Sequence, residues 1–229
     1  KDGGIMVRGG AARTMCELFI TTWDMTVKQL SDYDKLLPAT GKKESDGGYY
    51  LPFGSGPAPI YRRPVGKNLL LSVINQAKRY VYITTPYLVI DFDLTEALRN
   101  AALRGVDIRI ITPGIADKKT VKIMTKSSYL HLMDAGVKIY EYTPGFIHEK
   151  LIVSDDCLAI TGTINLDYRS LVHHFENAVF VALCETVLNM RDGFLKTLSK
   201  SRQVDSKTAR LNLIEWVFKI GIRIFAPLL

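Results

Sequence analysis

A histidine and a lysine two residues apart, His148 and Lys150, stand in the stretch Gly145-Phe146-Ile147-His148-Glu149-Lys150-Leu151-Ile152-Val153-Ser154-Asp155. The stretch alternates as a strand does, with Ile147, Leu151 and Val153 among its apolar positions. Successive side chains on a strand point to opposite faces, which puts His148 and Lys150 on the same one. An imidazole beside an ammonium suits an anionic phosphate. The lysine would act as a point charge on its oxygens, the histidine as nucleophile or proton carrier. Asp155 lies an odd number of residues from His148 and is expected at the Ser154-Asp155-Asp156 turn, fixing geometry. Further on, Gly162-Thr163-Ile164-Asn165 and Phe175-Glu176-Asn177 supply a hydroxyl, amides and a carboxylate.

The pattern His-x-Lys, four residues, then Asp is the signature of the phospholipase D superfamily. Three fixed residues occur by chance in about a per cent or two of chains this long, so the continuation decides. Gly162-Thr163-Ile164-Asn165 resembles the Gly-Ser-x-Asn segment that follows in that superfamily. Leu166-Asp167-Tyr168-Arg169-Ser170 and Phe175-Glu176 complete a run similar to the bacterial cardiolipin synthases. Thr85-Pro86-Tyr87, Arg104-Gly105-Val106-Asp107 and Ala135-Gly136-Val137-Lys138-Ile139-Tyr140-Glu141-Tyr142 match the same family. The resemblance covers about Gly10 to Phe180 apart from a linker.

In that family each active site needs two His-Lys-Asp motifs, one from each half of a two-fold arrangement. The resemblance implies a phosphohistidine intermediate formed by one histidine, while the other protonates the departing alcohol and later deprotonates the incoming one. Carried over, His148 is the catalytic histidine of the second half, with Lys150 and Asp155 of the same motif. Lys150, Thr163 and Asn165 would bind substrate phosphate, Thr163 standing where serine is commoner. Glu176 matches the acid expected to accept from the other imidazole nitrogen. Neither a metal nor a cofactor is implied, because lysine and asparagine side chains hold the phosphate oxygens.

No second His-x-Lys pair exists in the chain. Either an N-terminal half carries the first motif, or two copies join into one site as a homodimer. The start at Lys1, a Trp23-Asp24 helix and the cardiolipin synthase wording favour the first. The implied function is phosphatidyl transfer between two phosphatidylglycerol molecules, giving cardiolipin and glycerol. The alternative is a phospholipase D-type nuclease or phosphodiesterase working as a single-motif homodimer, and a vestigial membrane scaffold is a third reading. Expected partners are anionic phospholipid and a membrane surface, with nucleic acid disfavoured. The expected location is a bacterial cell membrane, on its cytoplasmic side.

The elements that must position these residues read as α/β. Helix patterns run over Gly10–Leu30, Asn68–Arg79, Asp93–Arg104 with Asp93 as N-cap, Asp117–Ala135 and Glu185–Lys200. Strands are expected at Tyr80–Thr85, Val106–Thr112, Val137–Tyr142, Lys150–Val153, Cys157–Thr161 and Asn177–Leu183. Strand and helix in alternation imply crossovers and a mixed, mainly parallel sheet flanked by helices. The resemblance makes that one half of a bilobal phospholipase D-like fold. The expected organisation is an N-terminal helical segment over 1–37, a flexible linker over 38–59, a catalytic half-domain over 60–205 and a C-terminal amphipathic helix over 206–229.

The net charge of +7 on 229 residues attracts phosphates, of nucleic acid or of an anionic membrane. Cys16, Cys157 and Cys184 show neither metal-ligand spacing nor a disulfide framework. Of the remaining histidines, His131 is expected on the surface, and alternation lets at most one of His173 and His174 line the pocket. The tail is heavily apolar, through Leu211, Ile214, Trp216, Val217, Phe218, Ile220, Ile222, Ile224 and Phe225, but Arg210, Glu215, Lys219 and Arg223 interrupt it. It reads either as a helix lying in a membrane interface or as a last helix capping the core.

Overall fold

The computed structural model describes residues 1–39 and 47–223. Among the described residues ten strands form: β1 (Tyr49–Ser55), β2 (Tyr80–Thr84), β3 (Leu88–Val89), β4 (Asp107–Pro113), β5 (Lys138–Tyr142), β6 (Leu151–Ser154), β7 (Leu158–Gly162), β8 (Leu166–Asp167), β9 (Glu176–Ala182) and β10 (Ser201–Gln203). The helices are α1 (Gly10–Val27), α2 (Tyr33–Leu36), α3 (Val65–Gln76), α4 (Phe92–Leu103), α5 (Lys119–Met133), α6 (Glu185–Leu198), α7 (Ser206–Ala209) and α8 (Leu213–Arg223), with a short π-helical turn at Arg169–His173.

Eight strands make one sheet in the order β1-β9-β7-β6-β2-β4-β5-β10, and β3 pairs with β8 in a separate ribbon. The main sheet is mixed. Its parallel part is β2-β4-β5, the segment where strand and helix alternate strictly in sequence. Its other pairings are antiparallel, so the parallel share is smaller than the alternation predicts. The reason is that the strict alternation of strand and helix ends at β5: β6 and β7 follow as a hairpin, and β1, β9 and β10 pair from segments outside the alternating part.

The central strands are covered on both faces and therefore read as unbroken apolar runs. On one face α3, α4 and α5 bury Ile74, Leu94, Leu98 and Leu132 against Ile108, Ile110, Ile139 and Ile152. On the other, Val187 of α6 meets Val153 and Val181, and Phe194 meets Ile111, Ile147 and Leu151. Full burial of each such side chain is worth about 1.5–3 kcal/mol.

Three sequence expectations need correction. The stretch 38–59 is not linker throughout, because Tyr49–Ser55 forms β1 and pairs along its length with β9; residues 40–46 lie outside the described residues. Pro52 inside β1 lacks an N–H, which an edge strand tolerates. The N-cap of α4 is Asp91, whose carboxylate accepts from Leu94 N at 3.1 Å, while Asp93 lies inside the helix and accepts from Lys67. The strand-like alternation around His148 is not strand: β6 begins at Leu151, one residue after the expected start at Lys150. Before it the backbone pairs with the N-terminus, His148 N donating to Lys1 O at 2.8 Å.

Candidate active site

One end of the main sheet gathers the candidate residues. Lys150 immediately precedes β6, and Leu151 lies opposite Thr161 of β7. Thr163 follows the end of β7, and Glu176 opens β9, where it lies opposite Ser55 of β1. This is also the end at which the parallel strands β2, β4 and β5 finish, the usual place for a site in an α/β sheet. Gly162 makes the approach possible: a Cβ there would stand 2.3 Å from Asn177 O and 2.5 Å from Ala178 Cα.

His148 and Lys150 do share a side, although the backbone there is not a strand. Lys150 Nζ lies 2.8 Å from His148 Nε2 and donates to His148 O at 2.6 Å. Because an ammonium only donates, Nε2 is the acceptor and the proton sits on Nδ1. Nδ1 in turn lies 3.3 Å from Asp2 Oδ2. Burial works against the Asp2 charge, but the Gly3 N–H and His148 hold its carboxyl below the ordinary carboxylate value. Lys150 is half-buried, and that burial pulls its ammonium below the ordinary lysine value against the charges of Asp2, Glu176 and Asp167.

Asp2 is the residue that sequence reasoning missed. Glu176, expected as the acceptor from the imidazole, is bonded elsewhere. Its Oε2 accepts from Thr163 Oγ1, and its Oε1 lies 3.8 Å from His174 Nδ1. So His174, rather than His173, joins the site. Thr163 is held further by its own N–H on Asn177 O at 2.9 Å and by accepting from Asn177 N at 3.1 Å.

Asn165 donates from Nδ2 to Ser170 Oγ at 3.1 Å, and its Oδ1 is buried without a partner among the described residues. Ser170 is set by its N–H on Asp167 Oδ1 at 2.8 Å, and burial raises the Asp167 carboxyl. The Asn165 carboxamide is therefore a polar group with hydrogen-bonding capacity to spare.

Asp155 is not at the site. It occupies the turn after β6, at the opposite end of that strand from Lys150, with φ 55°. Its carboxylate accepts from Lys78 N at 2.7 Å and from Arg79 N and Tyr80 N, each at 2.9 Å. Burial opposes the charge and those three N–H groups outweigh it, so the carboxyl lies below the ordinary value. Asp155 clamps the entry to β2 and bonds to neither His148 nor Lys150.

The sequence profile of the family described as "Cardiolipin synthase, PLD-like domain" matches residues 70–198. The chain belongs to this family. A cardiolipin synthase of Halalkalibacterium halodurans is 35% identical over 233 residues, a match that takes in all of this chain and 45% of the relative. The chain thus spans about half the length of the curated relatives it matches. Among solved structures, a phosphatidylserine synthase of Haemophilus influenzae superposes with a TM-score of 0.63 at 14% identity, over 82% of this chain and 49% of that one. A phospholipase D family member, Nuc from Salmonella typhimurium, superposes with a TM-score of 0.58 at 20% identity, over 69% of this chain and 99% of that one. Both show a shared phospholipase D-like fold. Among the described residues no group of three or more His, Cys, Asp or Glu side chains is placed to hold a metal ion.

Proposed function

We propose that this chain supplies one of two catalytic motifs that transfer a phosphatidyl group from one phosphatidylglycerol to another, yielding cardiolipin and glycerol. The observation that carries the reading is the His148–Lys150 pair, with Nε2 presented beside the ammonium and Nδ1 backed by Asp2. It is supported by membership of the cardiolipin synthase, PLD-like domain family.

In this reading the phosphate of the first lipid replaces His148 as the partner of Lys150, whose charge lies on the non-bridging oxygens. The histidine of the other motif attacks phosphorus and the P–O bond to glycerol breaks. His148, which takes a proton from solvent at Nε2 once the phosphate has replaced it beside Lys150, gives that proton to the departing glycerol oxygen. It then takes the proton of the incoming headgroup hydroxyl, which attacks the phosphohistidine and releases the histidine of the other motif. Asp2 keeps Nδ1 protonated, so that Nε2 is the nitrogen that cycles. One phosphodiester is lost and one gained, so no nucleotide is consumed. The other motif comes from an N-terminal half or a second copy, and the site works at the cytoplasmic face of a bacterial membrane.

The test is product analysis on phosphatidylglycerol vesicles across a protein concentration series. If a second copy supplies the other motif, cardiolipin and glycerol in equal amounts are expected, lost in His148→Ala, with a rate rising with the square of concentration; no turnover by the folded chain assigns the other motif to an N-terminal half. Phosphatidic acid without cardiolipin would overturn the transfer reading.

A further inference from the structure

The C-terminal helix α8 is built to stand with its apolar side outward. Its start is specified locally. Asn212 Oδ1 accepts from Glu215 N at 2.8 Å, and Glu215 Oε2 accepts from Asn212 N at 2.9 Å, a reciprocal capping box. The same Glu215 carboxylate reaches inward to Lys126 Nζ of α5 at 3.4 Å. The helix is thus attached to the body by its charged edge. Leu213 and Ile214 are left 76% and 81% exposed, and Trp216, Val217 and Phe218 are also exposed.

Isolated apolar side chains on a surface need no explanation, but five large ones in six consecutive residues of one short helix do. They spread over one broad side of a helix that contacts α5, which suits a soft, flat phase better than a pocketed protein partner. The setting is cationic: Lys207 and Arg210 are exposed just before the helix, and the chain as a whole carries +7. In sequence Lys219 and Arg223 follow Glu215 at four and eight residues. Apolar side, tryptophan and flanking cations are the features that hold a helix in the headgroup layer of an anionic bilayer. Among the described residues no helix is long and apolar enough to cross one.

We propose that α8 is the element by which this chain docks on an anionic lipid surface, lying in its plane. The docking also sets the site's position. α8 rests on α5, whose Thr125 hydroxyl accepts from Leu88 N of β3 at 3.2 Å, and β3 pairs with β8 directly after Asn165. The inference draws on the proposed lipid substrate, but its test reads binding rather than turnover, so each can fail without the other.

The experiment is flotation of the 229-residue chain with phosphatidylserine-containing vesicles, which are anionic without being the proposed phosphatidyl donor, against neutral phosphatidylcholine vesicles. The chain is expected to float with the anionic vesicles and to be released by salt. Ile214→Glu with Val217→Glu, both on exposed positions, is expected to weaken binding by at least about tenfold at an unchanged melting temperature. The chain has two tryptophans, Trp23 and Trp216. In Trp23→Phe the remaining Trp216 emission is expected to shift to the blue on the anionic vesicles. The proposal is overturned if the double variant floats like the parent, or if Trp216 emission does not move while a Trp216→Phe chain reports a shift at Trp23 of α1. It is equally overturned if the double variant separates a dimer into monomers and leaves vesicle binding intact, because the apolar side would then face a second copy.

Discussion

His148 Nδ1 lies 3.3 Å from Asp2 Oδ2, across 146 residues of sequence. The contact fixes which imidazole nitrogen carries the proton and leaves Nε2 facing Lys150. Asp2→Asn keeps the size of the side chain but removes the charge that stabilises an imidazolium. Turnover is expected to fall by about tenfold or more. An unchanged kcat would show that Asp2 is a bystander.

Lys150 predicts the alkaline limb. Burial lowers its ammonium below the ordinary lysine value of 10.5. Its charge is therefore lost at a lower pH than that of an exposed lysine, and affinity for glycerol phosphate should decline before that ordinary value is reached. Lys150→Arg keeps a charge over the whole range and should remove the decline even if it binds less well at neutral pH. Inhibition constants measured against pH in both proteins would check this.

Asp155 should matter for stability and not for chemistry. Its carboxylate holds the backbone N–H groups of Lys78, Arg79 and Tyr80. Asparagine tolerates the positive φ of 55° at this position, so Asp155→Asn isolates the charge and is expected to cost about 1–2 kcal/mol at neutral pH. Because the folded carboxyl lies below its ordinary value of 3.8, the wild-type advantage is present above that value and is lost as pH falls through the folded one. Denaturant melts at neutral and acid pH read the narrowing gap; kcat per folded molecule should not change.

Gly162 sets the spacing between β7 and β9. A methyl group there meets Asn177 O at 2.3 Å and the Ala178 Cα at 2.5 Å, both backbone atoms with no room to yield. Gly162→Ala is expected to lower stability by about 1–3 kcal/mol and to weaken phosphate binding, since Thr163 is held by Asn177. A melting curve and a glycerol phosphate titration would show both effects together.

What could be read from the sequence follows the range of the interactions. His148 and Lys150, two residues apart, came together as local spacing demands. Thr163, Asn165 and Glu176 lie close enough in sequence for one motif to name them. The Asp2 contact was illegible because nothing local to either residue encodes a meeting between chain positions 2 and 148. β1 was hidden for a related reason. Tyr49-Tyr50-Leu51-Pro52-Phe53-Gly54-Ser55 carries a proline and a glycine, and only the partner strand β9 makes it a strand. Glu176 was legible as a site residue but not by partner, since it accepts from Thr163 and lies near His174, and is not bonded to the imidazole of the motif.

The most direct measurement is nuclear magnetic resonance of isotopically labelled histidine in this chain, with glycerol phosphate as titrant. The four histidines are His131, His148, His173 and His174, and His148→Ala assigns the signal. The account predicts the Nδ1–H tautomer at His148 in the free protein, and a perturbation of that signal by glycerol phosphate that Lys150→Ala removes. An Nε2–H tautomer, or a titration that leaves His148 unmoved, would contradict it.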